Sequence, residues 1–234
     1  GLVDGMYSSI IEDAQGRMWI AAEGGASCFD CRQFANYTRE QGLTQEGLWS
    51  LLKDAEGHIW FGSSGGGINR YDGQVFQSLS RKDGLVNNSI HQILQDRHGH
   101  YWFATNGGLT RFRPPPTTPP SIRIDAVVAG LRYDDSSPIE ISDNIHLVSF
   151  EFSALSLKTA PGHIVYRYRL CGFDQQWTNT RQQCVEYAAL PVGEYVFEVV
   201  AVDRDLVCSA SSATCVLRVR RDERDEQIDE LEQR

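Results

Sequence analysis

A chain of 234 residues, 41% of them hydrophobic and 23% charged, can bury one or two sizeable cores and falls outside the composition of disordered chains. Its formal charge of −9 argues against a surface built for phosphate backbones, so no nucleic-acid partner is expected. No stretch reaches the roughly 18 consecutive apolar residues of a membrane-spanning helix, and the first residues lack a signal-peptide pattern. The chain opens at Gly1, at the edge of a repeat, and reads as a fragment whose membrane contact is expected only through segments outside it.

Short runs of Val, Ile, Tyr, Phe and Trp set among 21 glycines predict an all-β chain. The chain repeats itself. Gly1-Leu2, Gly42-Leu43 and Gly84-Leu85 open three copies, 1–41, 42–83 and 84–113, and a spacing near 40 residues suits four-stranded propeller blades. Asp13-x-x-Gly16-x-x-Trp19 recurs as Asp54-x-x-Gly57-x-x-Trp60 and as Asp96-x-x-Gly99-x-x-Trp102, each followed by a glycine pair (24–25, 65–66, 107–108). The Asp and Gly suit a hairpin turn, and each Trp opens an apolar strand whose ring can fill the gap between blades. Phe29, Tyr71 and Phe112 stand at matching places in the third strand. Identical residues in every copy are what architecture requires, so these aspartates are read as turn formers and not as metal ligands. Three blades do not close a propeller, and the apolar face of the first blade is expected to be exposed.

Residues 114–120, Pro114-Pro115-Pro116-Thr117-Thr118-Pro119-Pro120, form a stiff linker expected to restrict the orientation of what flanks it. Over residues 121–220 the predicted strands lengthen and alternate: 122–128, 145–152, 164–170, 184–188, 195–202 and 214–219. About seven antiparallel strands in that length predict an immunoglobulin-like β-sandwich. Residues 221–234 read as a short charged C-terminal helix with Ile228 and Leu231 on one face, either the start of a signalling coiled coil or a solvated end.

The second region carries a specific resemblance. Tyr166-x-Tyr168-x-Leu170-x-Gly172-x-Asp174-x-x-Trp177, followed by Leu190-Pro191-x-Gly193-x-Tyr195-x-Phe197, resembles the three-Y (Y_Y_Y) domain of bacterial two-component regulators. The preceding repeats resemble the regulator-propeller blades that stand before that domain. The resemblance implies a non-catalytic input module of a membrane sensor, on its periplasmic side, feeding a kinase, cyclase or transcription effector. Family members usually pass from this domain into a membrane helix, whereas here Val219 runs into charged residues, which leaves a cytoplasmic location open.

A ligand site is sought where matched blade positions differ. Ser8, Trp49 and His91 correspond at the start of each first strand, with Asn87 and Asn88 beside the last; an aromatic ring, an imidazole and amides suit a sugar or another polar small molecule. His58 and His100 occupy one turn position and read as solvent-facing. Cys171 with Cys184, and Cys208 with Cys215, lie where two disulfides would fit, and buried thiols are the alternative. No nucleophile elbow, His-Glu-x-x-His pair, phosphate loop or dinucleotide fingerprint occurs, so neither catalysis, cofactor nor metal is expected. The partners expected are a small molecule or oligosaccharide and a second copy, joined through the C-terminal helix or the sandwich. A protein-interaction scaffold without a small-molecule ligand is the competing reading.

Overall fold

The computed structural model describes residues 1–134 and 138–222. Among them the fold is all-β: helix is confined to three 3-10 turns, and the strands gather in open sheets, three of them four-stranded, with no closed barrel. The chain divides into two compact units, Gly1–Thr117 with Arg204–Leu206, and Thr118–Asp203 with the chain from Val207.

In the first unit β1 (Tyr7–Glu12), β2 (Met18–Ala22), β3 (Gly25–Phe29) and β4 (Phe34–Tyr37) form an antiparallel meander. A second follows with β5 (Leu48–Lys53), β6 (Ile59–Ser63), β7 (Ile68–Tyr71) and β8 (Phe76–Leu79). The third sheet holds β9 (Ile90–Gln95), β10 (Tyr101–Thr105) and β11 (Gly108–Phe112), three strands where four were expected. The physical reason follows Phe112: three prolines have no N–H to donate to a ladder, so the chain leaves the sheet where a fourth strand would turn back.

The repeat opener is a cap. After β4 and β8 a 3-10 turn is capped by Thr38 with Gln41 and by Ser80 with Asp83, and each turn ends at a left-handed glycine, Gly42 (φ +113°) or Gly84 (φ +102°). Leu43 and Leu85 then enter the core. The structure also moves one register. The extra residue of the second copy lies in the β6–β7 turn, so Gly67, not Gly66, is the counterpart of Gly25 and Gly108. Gly25 pairs Ala22, Gly108 pairs Thr105, and Gly67 accepts from Ser63 N, all at positive φ.

Each Asp-to-Trp interval closes a hydrogen-bonded unit. Oδ1 of Asp13 accepts from the backbone of Gln15 and Arg17, while Oδ2 accepts from Trp19 Nε1 at 2.9 Å. Asp54 takes Glu56, His58 and Trp60 in the same way, and Asp96 takes His98, His100 and Trp102. His58 and His100 are therefore not simply solvent-facing: both are half-buried, with Nδ1 3.2 Å from the aspartate of their own turn. The indoles then pack on the next sheet. Trp19 meets Phe61 and Tyr71, Trp60 meets Tyr101 and Phe103, and two cores fill the spaces between successive sheets.

In the second unit β12 (Ser121–Ala129), β13 (Leu131–Tyr133), β15 (Leu147–Leu155) and β18 (Cys184–Ala188) make one sheet. β14 (Ile139–Ser142), β16 (Val165–Cys171), β17 (Thr178–Thr180), β19 (Gly193–Val202) and β20 (Ala213–Arg220) make the other. Alternate residues of both enclose one core, across which Phe150 and Phe197 stack at 4.1 Å. The expected antiparallel set gains three short strands, β13, β14 and β17, and β14 runs parallel to β20. All six cysteines are thiols. Neither expected bridge is formed: Cys171 and Cys184 are half-buried on strands of different sheets, and Cys215 is buried in the core while Cys208 is exposed. The expected tail helix lies outside the described residues.

Candidate functional site

The first strands of the three repeated sheets, β1, β5 and β9, lie beside one another, and matched positions on them therefore converge. Trp49 of β5 and His91 of β9 stack with ring centroids 4.8 Å apart and planes 15° off parallel. Trp49 is half-buried and His91 exposed, so the pair presents an aromatic edge to solvent from two different sheets. Nε2 of His91 meets Oδ1 of Asn106, in the turn between β10 and β11. That contact fixes the imidazole edge and leaves the amide nitrogen of Asn106 as a donor.

The other expected site residues are tied into backbone. Ser8 Oγ donates to Leu48 O at 2.7 Å and so staples β1 to β5. Asn87 accepts from Ser89 N and so shapes its own turn, while Asn88 accepts from Arg81 N and so holds the start of the 3-10 turn after β8, both at 2.8 Å. The structure thus brings together Trp49 and His91 and adds Asn106. Asn106 was legible by the same rule, because Glu23, Ser64 and Asn106 are matched positions that differ just before each glycine pair.

One group among the described residues has the donor types of a cation site: Asp54, Glu56 and His58, with ligand atoms within 4.8 Å of one another. Asp54 does not suit that use. Its carboxylate already accepts from two backbone amides, the Trp60 indole, the His58 ring and the Tyr101 hydroxyl, which exceeds the roughly four lone-pair sites it has. Burial alone would raise its pKa, but the hydrogen bonds from His58, Trp60 and Tyr101 outweigh it and hold Asp54 below the usual carboxylate range. The cluster is a locked turn.

In the second unit the motif residues are also structural. Asp174 Oδ2 accepts from Leu170 N at 2.7 Å and from the Tyr187 hydroxyl at 2.6 Å, and the Tyr195 hydroxyl donates to Pro191 O at 2.8 Å. Gly172 (φ +95°) runs against the Tyr195 ring, where a Cβ would stand 3.2 Å away. Trp177 carries the guanidinium of Arg169 at 4.7 Å, and Tyr168 is half-buried beside the core. Gly193 opens β19 and packs on the same Tyr195 ring.

Comparison with known proteins places both parts. Residues 158–219 match the Y_Y_Y domain, and residues 1–24 and 84–107 match the two component regulator propeller. No curated protein matches the chain. Similar solved structures include the extracellular domain of hybrid two component system BT3049 from B. thetaiotaomicron, 21% identical with a TM-score of 0.49, over 92% of this chain and 32% of that one. The extracellular domain of one component system BT4673 from the same organism is 17% identical with a TM-score of 0.38, over 93% and 38%. Virginiamycin B lyase from Staphylococcus aureus is 11% identical with a TM-score of 0.35, over 87% and 83%. The chain spans about a third of the length of the first two.

Proposed function

We propose that this chain, in which two component regulator propeller repeats precede a Y_Y_Y domain, is the ligand-receiving and signal-relay part of a bacterial sensor. The repeats act as blades, here two of four strands and one of three, and the two-sheet unit acts as an immunoglobulin-like sandwich. The observation that carries the reading is the Trp49–His91 stack. A solvent-facing aromatic edge, with an imidazole stacked on the indole and an amide beside it, suits the mixed apolar and hydroxyl surface of a sugar. Binding there bridges two blades, since Trp49 and His91 belong to different sheets, and a ligand that favours one arrangement of the blades shifts their equilibrium.

The relay runs from the propeller to the sandwich and on to an effector beyond this chain, a kinase, cyclase or transcription output. The chain itself is assigned no catalysis. The location that fits is the outer side of the inner membrane; among the described residues no helix is long and apolar enough to cross a membrane.

The test is calorimetric titration with a panel of neutral di- to hexasaccharides, repeated on Trp49→Ala and His91→Ala. Binding by the unsubstituted chain that Trp49→Ala abolishes and His91→Ala weakens is the expected result. Saccharide binding unchanged in both variants overturns the site, and no heat from any saccharide leaves the protein-interaction reading in its place.

A further inference from the structure

The seam between β5 and β9 lacks what holds the seam between β1 and β5. Along each first strand the pairing skips one residue, from Tyr7 to Ser9, from Leu48 to Ser50 and from Ile90 to Gln92, so Ser8, Trp49 and His91 are the unpaired residues of three matched bulges. A bulge re-aims its extra side chain out of the ladder. In the first seam two hydroxyls cross between the strands. Ser8 Oγ donates to Leu48 O at 2.7 Å, and Ser9 Oγ accepts from Leu51 N at 3.3 Å.

In the second seam Trp49 and Ser50 stand in place of Ser8 and Ser9, and Ile93 in place of Leu51. Trp49 stacks on His91 where Ser8 makes its backbone bond. Ser50 Oγ is buried and has no hydrogen-bond partner among the described residues, so it does not take the amide of Ile93. It lies over Gly62, in the space a Cβ would fill, beside the Ile90 side chain. In the first sheet the residue opposite Ser9 is Ala21, whose methyl group takes that space and leaves the hydroxyl facing Leu51. A buried hydroxyl without a partner destabilises the fold, and one next to a solvent-facing aromatic pair points to a ligand group that satisfies it.

We propose that a sugar hydroxyl supplies the missing staple of the second seam: it donates to Ser50 Oγ and accepts from Ile93 N, while the ring that carries it lies against Trp49 and His91. The inference rests on the saccharide reading of that stack, and it narrows the ligand class. Ser50 is buried one residue further along β5 than Trp49, so the hydroxyl must stand on an arm that projects from the sugar ring. A hexopyranose has such an arm, its hydroxymethyl group, and a pentopyranose has none. A hexuronic acid carries a carboxylate there, which would bring an unpaired charge into the seam. The ligand is therefore a neutral hexose saccharide.

The test is calorimetric titration with 1,4-linked gluco-, manno- and galacto-oligosaccharides, against xylo-oligosaccharides and oligogalacturonides of the same lengths. It is run on the unsubstituted chain, Ser50→Ala and Trp49→Ala. A hexose series is expected to bind, with the xylose and galacturonic series at least about tenfold weaker; Ser50→Ala should weaken the hexose about tenfold and so remove the preference, and Trp49→Ala should abolish binding. Without saccharide the thermal midpoint of Ser50→Ala should not fall, because the hydroxyl removed has no partner. Ser9→Ala, which strips Leu51 N of its acceptor, should lower it. Three results overturn the proposal: xylo-oligosaccharides or oligogalacturonides bound as tightly as the hexose, hexose binding unchanged in Ser50→Ala, or a midpoint that Ser50→Ala lowers as Ser9→Ala does. In each of these, binding that Trp49→Ala abolishes leaves the Trp49–His91 site standing. No heat from any saccharide overturns both.

Discussion

The Tyr101 hydroxyl, on the third sheet, donates to Oδ2 of Asp54, in a turn of the second, at 2.9 Å, so one sheet completes the hydrogen bonding of its neighbour. The same ring stacks on Trp60 at 4.2 Å, and Trp60 donates to the same carboxylate oxygen. Burial first, and then the bond to Asp54, push the phenol well above its ordinary pKa, so it stays a donor across the accessible pH range. Tyr101→Phe keeps the ring and removes one donor from a buried carboxylate. It is expected to cost about 1.5–3 kcal/mol in urea unfolding, the range for a hydrogen bond to a charged group.

Acid should unfold the repeated unit through these turns. Asp13, Asp54 and Asp96 all lie below the usual carboxylate range: burial opposes the shift in the first two and is outweighed by hydrogen bonds, while the Trp102 bond leads in the third. A carboxyl whose folded pKa is depressed contributes fully above its unfolded pKa of about 3.9, and that contribution is lost as pH falls toward the folded value. The thermal midpoint is expected to stay level from neutral to about pH 5 and to fall below about pH 4. Asp54→Asn lowers the midpoint at neutral pH and flattens the acid limb; an acid limb of unchanged slope would show that other groups drive it.

The spacing from Asp13 to Trp19 was visible in the chain because the hairpin that joins the two residues is local. What completes Asp54 was not, since Tyr101 lies 47 residues away and reaches it only through the packing of one sheet on the next. Ser8, Trp49 and His91 could be aligned by the repeat, yet only the geometry of adjacent first strands separates the stacked pair from the staple that Ser8 makes. Counting a fourth strand in the third sheet extended the repeat past its chemistry, for Pro114 to Pro116 cannot supply a ladder. β14 is not legible in the sequence, because its partner, β20, is remote: Ile139 sits opposite Leu217.

The glycines that close each second turn separate two costs. At Gly25 and Gly67 a Cβ would stand 2.4 Å from Tyr37 O and 2.2 Å from Leu79 O, both carbonyls at the fourth-strand ends, whereas at Gly108 nothing lies within 4 Å. All three have positive φ (+130°, +83° and +122°), backbone that L-residues rarely adopt and that costs them on the order of 1–3 kcal/mol. Gly108→Ala is therefore expected to lose only that amount in urea unfolding. Gly25→Ala and Gly67→Ala must also displace a backbone carbonyl, and should lose clearly more; equal losses at the three positions would contradict the assigned register.

Asp174 ties the turn after β16 to the opposite sheet, since its Oδ2 takes both Leu170 N and the Tyr187 hydroxyl. Asp174→Ala strands a backbone donor and a buried phenol together, and is expected to cost about 2–4 kcal/mol. Tyr187→Phe alone removes one bond to a charged acceptor, about 1.5–3 kcal/mol, and leaves the edge-on contacts of its ring with Phe150 and Phe173. The double variant should lose less than the sum of the two, because the phenol has already lost its acceptor once Asp174 is gone. A coupling of at least about 0.5–1 kcal/mol in the double-mutant cycle is the expected outcome. Strict additivity would mean that the two residues stabilise the unit independently and that the 2.6 Å contact contributes nothing.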